Sequence, residues 1–257
     1  MKKQAFTIRE MLGFLQDKES PNYAHDLTTR ALIATQYACD ARISEITRFK
    51  PEVKEVFYQC KTCYTIHHSK KKPLNCRNCE GEEFKTKSRI LYYKPIMPGI
   101  KWGAFKREYD EQGYIEIQVR NLKQNKATDD FRDEKTVFFP TEWKKEKKPN
   151  LMVQEQWNDL IKLETAVLST LQEYKEEQAR FKKDGPDDEL FPFLKETAYK
   201  KMHRVIGQGT HILRGTRATH LSYRLSGREV QDQLGHKKAD NTARYIHVFK
   251  EQIVSKF

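Results

Sequence analysis

The 257-residue sequence predicts an α+β fold that is mostly helical, with a small antiparallel β-sheet and one cysteine-rich insertion. Apolar residues recur at helical spacing over residues 154–181, the longest such pattern in the chain. Apolar and polar side chains alternate at 114–120, and a second strand pattern follows at 136–139. Between 56 and 87, cysteine, lysine and aromatic residues replace both patterns. One compact domain, residues 1–257, with a small inserted unit is the simplest organisation for this length.

The N-terminal part of the chain predicts two helices. Residues 7–17 begin with Thr7 and Glu10, which stand at the spacing of a capping box. A second helix is expected to start after Asp26 and to end near residue 40, with apolar residues on one stripe. This helix is expected to carry Arg42 at its C-terminal end.

Four cysteines form two pairs, and twelve residues separate the pairs. Two residues lie between the members of each pair, so both sulfurs of a pair can reach the same ion. This spacing predicts a structural Zn²⁺ site, and the segment 56–87 is interpreted as a zinc ribbon. Two disulfides are the alternative, but they are typical of small secreted domains. Because four thiolates fill a tetrahedron, His67 and His68 are expected to be exposed. The four cysteines are Cys60, Cys63, Cys76 and Cys79.

The charge of the chain favours a polyanionic partner. The formal net charge is +12, and 33% of the residues are charged. The excess is concentrated after residue 194, where thirteen Lys and Arg stand against five Asp and Glu. Nucleic acid is therefore the expected partner. No apolar run has the length of a membrane-spanning helix, and the N-terminus lacks a signal-peptide core. We expect a cytoplasmic, nucleoid-associated protein with no membrane partner.

The last quarter of the chain contains residue types that suit phosphoryl transfer. His211 and Arg214 form a His-x-x-Arg pair, which a helix starting near His211 would place on one face. The planar guanidinium of arginine matches two oxygens of a phosphodiester. Gly235 can end a preceding helix and turn His236 inward. The phenol of Tyr245 titrates at about pH 10 in model peptides, so it needs cationic neighbours to act as a nucleophile.

Together these residues resemble the signature of the tyrosine recombinases. The segment 41–45, Ala-Arg-Ile-Ser-Glu, is similar to the one that carries the family's first catalytic arginine. That family keeps a catalytic lysine on a β-hairpin, and Lys123 and Lys126 are the two candidates here. The resemblance spans nearly the whole chain and implies the tyrosine recombinase catalytic-domain fold. The implied catalytic residues are Arg42, Lys123, His211, Arg214, His236 and Tyr245.

The resemblance implies an activity on double-stranded DNA. The tyrosine would cleave one strand and form a covalent 3′-phosphotyrosine, and another 5′-hydroxyl would then attack this bond. The hairpin lysine would protonate the leaving oxygen, and neither a catalytic metal nor ATP would be needed. The family works as a tetramer, for which residues 249–257 would provide a docking tail. The alternatives are a type IB topoisomerase and a catalytically inactive zinc-ribbon DNA-binding protein.

One feature departs from the family pattern. Family members usually carry a helical core-binding domain before the catalytic domain, and the residues ahead of Arg42 leave no room for it. We expect either the catalytic part of a longer protein or a minimal enzyme. In a minimal enzyme, the zinc ribbon would replace some of the missing grip on DNA.

Overall fold

A computed structural model describes residues 5–69, 71–106, 113–120, 134–141, 148 and 152–234. The chain divides into two compact units. The smaller one, Lys50–Met97, is named the cysteine-rich unit, and it includes the predicted insertion with additional residues on both sides. The chain before and after it forms the other, which is named the helical unit.

The helical unit opens with α1 (Ile8–Leu15), α2 (Leu27–Ala38) and α3 (Ile43–Ile46). The predicted capping box is confirmed, because the Glu10 amide donates to the Thr7 hydroxyl and the Thr7 amide donates to the Glu10 carboxylate. α2 begins after Asp26 as predicted, and the carboxylate of Asp26 caps the helix. Arg42, however, is the N-cap residue of α3 and follows the end of α2, because the helix already ends at Ala38.

The cysteine-rich unit contains one antiparallel sheet of three strands, β1 (Glu52–Cys60), β2 (Ile66–His67) and β3 (Phe84–Tyr93). β1 lies in the middle, so that Tyr58 pairs with His67 on one side and with Thr86 on the other. Residues directly opposite each other in such a pair share a face of the sheet. The side chains of Tyr58, His67 and Thr86 therefore lie on the same face of the sheet.

A second sheet belongs to the helical unit and consists of β4 (Phe105–Lys106), β5 (Tyr114–Arg120) and β6 (Glu134–Pro140). β5 lies between the other two, and all pairs are antiparallel. Ile117 pairs with Val137, and both are buried together with Val119 and Phe139. The alternation predicted for these two segments is confirmed, because every second side chain faces the core.

The C-terminal part of the helical unit contains α4 (Gln154–Ala179), α5 (Lys195–Ile206), α6 (His211–Leu221) and α7 (Gly227–Leu234). The long α4 agrees with the predicted pattern at 154–181. α5 ends at Gly207, whose φ of 68° is the left-handed conformation of a helix C-terminus. Among the described residues, no helix is both long and apolar enough to cross a membrane.

The core of the helical unit surrounds α2. This helix contacts α4, α5 and α6, and ten of its twelve residues are buried. Its polar residues are buried together with the apolar ones, so it has no solvent-facing stripe. The largest fully buried apolar side chains of this core include Tyr37, Phe139, Phe191, Met11, Leu32 and Ile33.

Candidate active site and metal site

The first feature of the candidate active site is a carboxylate that binds two arginines. Glu45 on α3 is buried, and its Oε1 atom lies 3.0 Å from Nη1 of Arg42. Its Oε2 atom accepts from the backbone amide of Arg42 at 2.7 Å and lies 3.7 Å from Nη1 of Arg214. Two guanidinium groups from distant parts of the sequence are therefore held side by side. Arg42 is partly exposed, with 32% of its side chain accessible, whereas Arg214 is buried.

His211 lies beside these two arginines. It is the first residue of α6, one turn before Arg214, and it is exposed. Burial of part of the ring lowers the pKa of His211, and the charges of Arg214 and Arg42 lower it further, against the opposing charge of Glu45. The imidazole is therefore neutral at pH 7, with one nitrogen that donates and one that accepts a hydrogen bond.

Arg214 also connects α6 to the end of α7. Its Nη2 atom donates to the backbone carbonyl of Leu234, the last residue of α7. Four other predicted site residues fall outside the described residues, so their placement stays a prediction: Lys123, Lys126, His236 and Tyr245.

A buried lysine and aspartate lie next to this cluster, and neither is predicted from the sequence. Nζ of Lys135 on β6 donates to the backbone carbonyl of Asp40 at 2.6 Å and lies 3.9 Å from its Oδ2 atom. Burial raises the pKa of Asp40 to about 6 and lowers that of Lys135. Lys135 thus fixes the backbone two residues before Arg42. The alternation of β6 could have indicated that Lys135 is buried, because Lys135 lies on the same inward face as Val137.

A second buried ion network lies further along α6. Arg217 is one turn beyond Arg214, and its Nη1 atom donates to Glu164 on α4 at 2.7 Å. The same carboxylate accepts from Nη2 of Arg224 at 2.6 Å. The Arg217 guanidinium also lies over the ring of Tyr37, 5.0 Å from its centroid. This network is part of the core, since both Arg217 and Glu164 are fully buried.

The imidazole of His220 is a core group as well. Its Nε2 atom lies 3.2 Å from the carbonyl of Phe6, which can only accept, so Nε2 carries the proton. Its Nδ1 atom accepts from the hydroxyl of Tyr37 at 2.8 Å. Burial is the main cause that lowers the pKa of His220, to about 3. The neutral form is therefore the one that fits the folded protein.

The four predicted cysteine ligands lie together in the cysteine-rich unit. Their sulfur atoms all lie within 4.8 Å of one another, and the shortest distances are 3.4 Å and 3.5 Å. Four sulfurs around one Zn²⁺ at 2.3 Å would be about 3.8 Å apart, so the arrangement fits a tetrahedral ion. The cluster could hold a metal ion and is consistent with a structural zinc. Its members are Cys60, Cys63, Cys76 and Cys79.

The two histidines of the cysteine-rich unit differ. His68 is exposed, as predicted. The prediction is wrong for His67, which is partly buried with its ring edge-on against Phe84. Nε2 of His67 lies 3.3 Å from the sulfur of Cys76. The ring of His67 therefore lies beside one member of the four-cysteine cluster.

Comparison with solved structures relates the fold to that of site-specific recombinases. One similar structure is the XerH site-specific recombinase bound to difH substrate in a pre-cleavage complex. Its TM-score is 0.50 with 17% identity, and the match covers 98% of this chain and 53% of that chain. The post-cleavage complex of XerH with palindromic difH has a TM-score of 0.49 with 15% identity, covering 98% and 52%.

The likeness is one of fold, since the sequences are so different. This chain spans about half the length of the XerH chains that it matches. No family model matches the sequence, and no curated protein matches it. On the structural comparison, the chain has a mixed α/β fold that is similar to the tyrosine recombinase fold.

Proposed function

We propose that this chain is the catalytic domain of a tyrosine site-specific recombinase that cleaves and rejoins double-stranded DNA. One observation carries the proposal. Arg42 and Arg214 are held on the same carboxylate, and His211 lies beside both. The fold similarity to a site-specific recombinase supports the same conclusion.

The two arginines suit the charge that develops at phosphorus. A phosphodiester in the site would meet two groups that are always protonated, so a metal ion is not required to balance its charge. Glu45 orients both groups and neutralises one of the two charges, which leaves the site with a net positive charge. The neutral His211 can donate a hydrogen bond to a phosphate oxygen or accept a proton.

The strand is cleaved by Tyr245 in this proposal. A bond forms between its phenolic oxygen and phosphorus, and the bond from phosphorus to the 5′-oxygen breaks. The phenolic proton passes to a histidine, either His211 or His236, and the leaving 5′-oxygen takes a proton from Lys123 or Lys126. Attack by another 5′-hydroxyl reverses these steps and joins the new strands. The energy of the broken bond is kept in the phosphotyrosine link, so ATP is not consumed.

Assembly and metal binding complete the proposal. We propose a tetramer on two duplexes, with residues 249–257 as the docking tail of each subunit. The four cysteines would bind one structural Zn²⁺, which stabilises the cysteine-rich unit without taking part in the chemistry.

The test is a covalent-adduct assay on a suicide DNA substrate in buffer without Mg²⁺. The wild-type protein should form a DNA adduct, and Tyr245→Phe should form none while it still binds the duplex. Tyr199→Phe is the matched control, because Tyr199 is an exposed tyrosine on α5, outside the site. An adduct that persists in Tyr245→Phe would refute the nucleophile, and a strict need for Mg²⁺ would refute the arginine-based mechanism. Exchange of strands between two duplexes would separate a recombinase from a topoisomerase.

A further inference from the structure

Strand β3 carries its positive charges on one side only. Along the strand, Lys85, Lys87 and Arg89 alternate with Thr86 and Ser88. Successive side chains of a β-strand point to opposite faces. The three cations therefore share one face, and the two hydroxyl residues share the other. All five side chains are exposed, so burial is not the reason for this alternation.

The neighbouring strand adds little negative charge to the basic face. Residue pairing places Gln59 opposite Lys85 and Phe57 opposite Lys87. Glu55 is opposite Arg89, and its carboxylate accepts from Nε of Arg89 at 2.8 Å. The same carboxylate is also bound by His68, whose Nδ1 atom lies 2.9 Å away. These contacts hold the pKa of Glu55 below its ordinary value, with Arg89 as the first cause.

The two lysines of the face remain available to a ligand. Within the described part of the chain, neither Lys85 nor Lys87 forms an ion pair. Elsewhere in the same unit the pattern is different, since Lys61 is paired with Glu83 at 3.0 Å. An ordinary solvated surface mixes both signs of charge, as at that pair. The basic face of β3 instead offers a row of cations about 7 Å apart, twice the rise per residue of a strand.

We propose that this face, defined by Lys85, Lys87 and Arg89, binds the phosphate backbone of DNA. That the polyanion is DNA rests on the proposed function of the helical unit. A line of cations, two of which have no ion-pair partner among the described residues, complements a chain of phosphates, which repeat one negative charge at regular intervals. The contact is to the backbone and not to bases, because the ring of Phe57 already packs against His68, with centroids 5.9 Å apart. Binding here adds affinity without adding sequence preference.

The sharpest test moves the lysines to the other face and leaves the composition unchanged. In the transposed variant, Lys85→Thr and Lys87→Ser are combined with Thr86→Lys and Ser88→Lys. Net charge, length and strand propensity are nearly preserved, and positions 86 and 88 are exposed and so can accept lysine. Zinc content and circular dichroism verify that the unit is folded.

The measurement is the affinity of the full chain for labelled duplexes of unrelated sequence over a range of salt concentrations. Each phosphate contact contributes about 0.9 to the slope of log affinity against log salt concentration. The transposed variant should bind every duplex more weakly, with a slope that is smaller by about 2. Lys61→Ala is the control, since its charge is already paired, and its slope should stay close to that of the wild type.

Equal affinities and equal slopes for the wild type and the transposed variant would overturn the proposal. Adduct formation at saturating DNA separates this result from a failure of the proposed function. The transposed variant should still form the phosphotyrosine adduct, because its active-site residues are unchanged. A wild-type protein that forms no adduct would refute the proposed function, and the comparison of salt slopes would still decide whether the face binds DNA.

Discussion

The two units of this protein are stabilised in different ways. The helical unit buries a large apolar core around α2, which includes Leu32, Ile33 and Phe139. Among the described side chains of the cysteine-rich unit, the buried cluster consists of Cys60, Cys76 and Phe84. A unit of residues 50–97 is too small to be stable on such a core, and a metal ion is the usual compensation. The comparison teaches that one chain combines a fold stabilised by burial with a small unit whose four clustered cysteines could hold a stabilising metal ion.

The two units also differ in where their charges and apolar groups lie. The helical unit buries ion networks, such as Glu164 with Arg217. Among its described side chains, the cysteine-rich unit keeps its charges exposed or partly exposed and exposes large apolar side chains, including Leu74 and Tyr64 at 89% and 70%. The described interior of this unit is therefore small.

Removal of the metal should have the largest effect. Structural zinc contributes on the order of 10 kcal/mol to the folding of small domains, so Cys60→Ser with Cys76→Ser should unfold the cysteine-rich unit. Hydrogen exchange read by mass spectrometry should show lost protection in β1 and β3 and unchanged protection in α4. Cys39→Ala is the control, because this fifth cysteine is a buried thiol of the helical unit. It should retain about one metal ion per chain. Loss of protection in α4 of the double variant would contradict the expectation that only the cysteine-rich unit unfolds.

Loss of the buried carboxylate should have the next largest effect, and on the other unit. Glu164→Gln removes the negative charge that Glu164 supplies to the buried guanidinium groups of Arg217 and Arg224, which costs about 3–5 kcal/mol. Urea unfolding, monitored by the circular dichroism of the helices, measures this loss of unfolding free energy. Glu155→Gln is the matched control on the same helix, since both members of its ion pair with Arg9 are exposed, at 72% and 73%. That change should have little effect on the free energy of unfolding. Equal losses of unfolding free energy in both variants would show that burial of the network is unimportant for stability.

Acid should weaken the helical unit by a smaller amount through His220. Its pKa is about 3 in the folded protein and 6.5 as a reference, so between these values the unfolded chain binds the proton and the folded one does not. The stabilisation that neutral His220 provides is complete above pH 6.5 and is lost as the pH falls toward 3. Between pH 7 and pH 5 the loss is about 2 kcal/mol.

The check on this pH dependence is the free energy of unfolding of the wild type and of His220→Gln at both pH values. The variant should lose about 2 kcal/mol less than the wild type over this interval. His203→Gln, at an exposed histidine on α5, should behave like the wild type. A His220→Gln variant that loses as much stability as the wild type between pH 7 and pH 5 would disprove the role of His220.

Much of the fold was predictable where a local pattern reports burial directly. The stripe of α4, the alternation of β5 and the cap at Thr7 are of this kind. The helix α5 was not predicted, since only Ala198, Met202 and Ile206 mark its buried side. Small and widely spaced apolar residues in a basic segment give a weak periodic signal.

The candidate site was predictable only in its local parts. The start of α6 at His211 follows from spacing. The role of Glu45 could not be predicted from the sequence, because its contact with Arg214 depends on how α3 and α6 pack. Lys135 was overlooked for a similar reason, since a buried lysine needs a partner that the strand pattern does not reveal.

In each unit, one backbone hydrogen bond joins the two chain segments that lie next to the unit boundary. In the cysteine-rich unit, the amide of Lys94 donates to the carbonyl of Pro51 at 2.9 Å, and in the helical unit the amide of Ile100 donates to the carbonyl of Ile46 at 3.1 Å. The chain thus leaves and re-enters each unit at adjacent points, and closing the gap between them with a short turn costs little entropy. We therefore expect that the cysteine-rich unit can be exchanged for a short turn or for another module while the core of the helical unit stays intact.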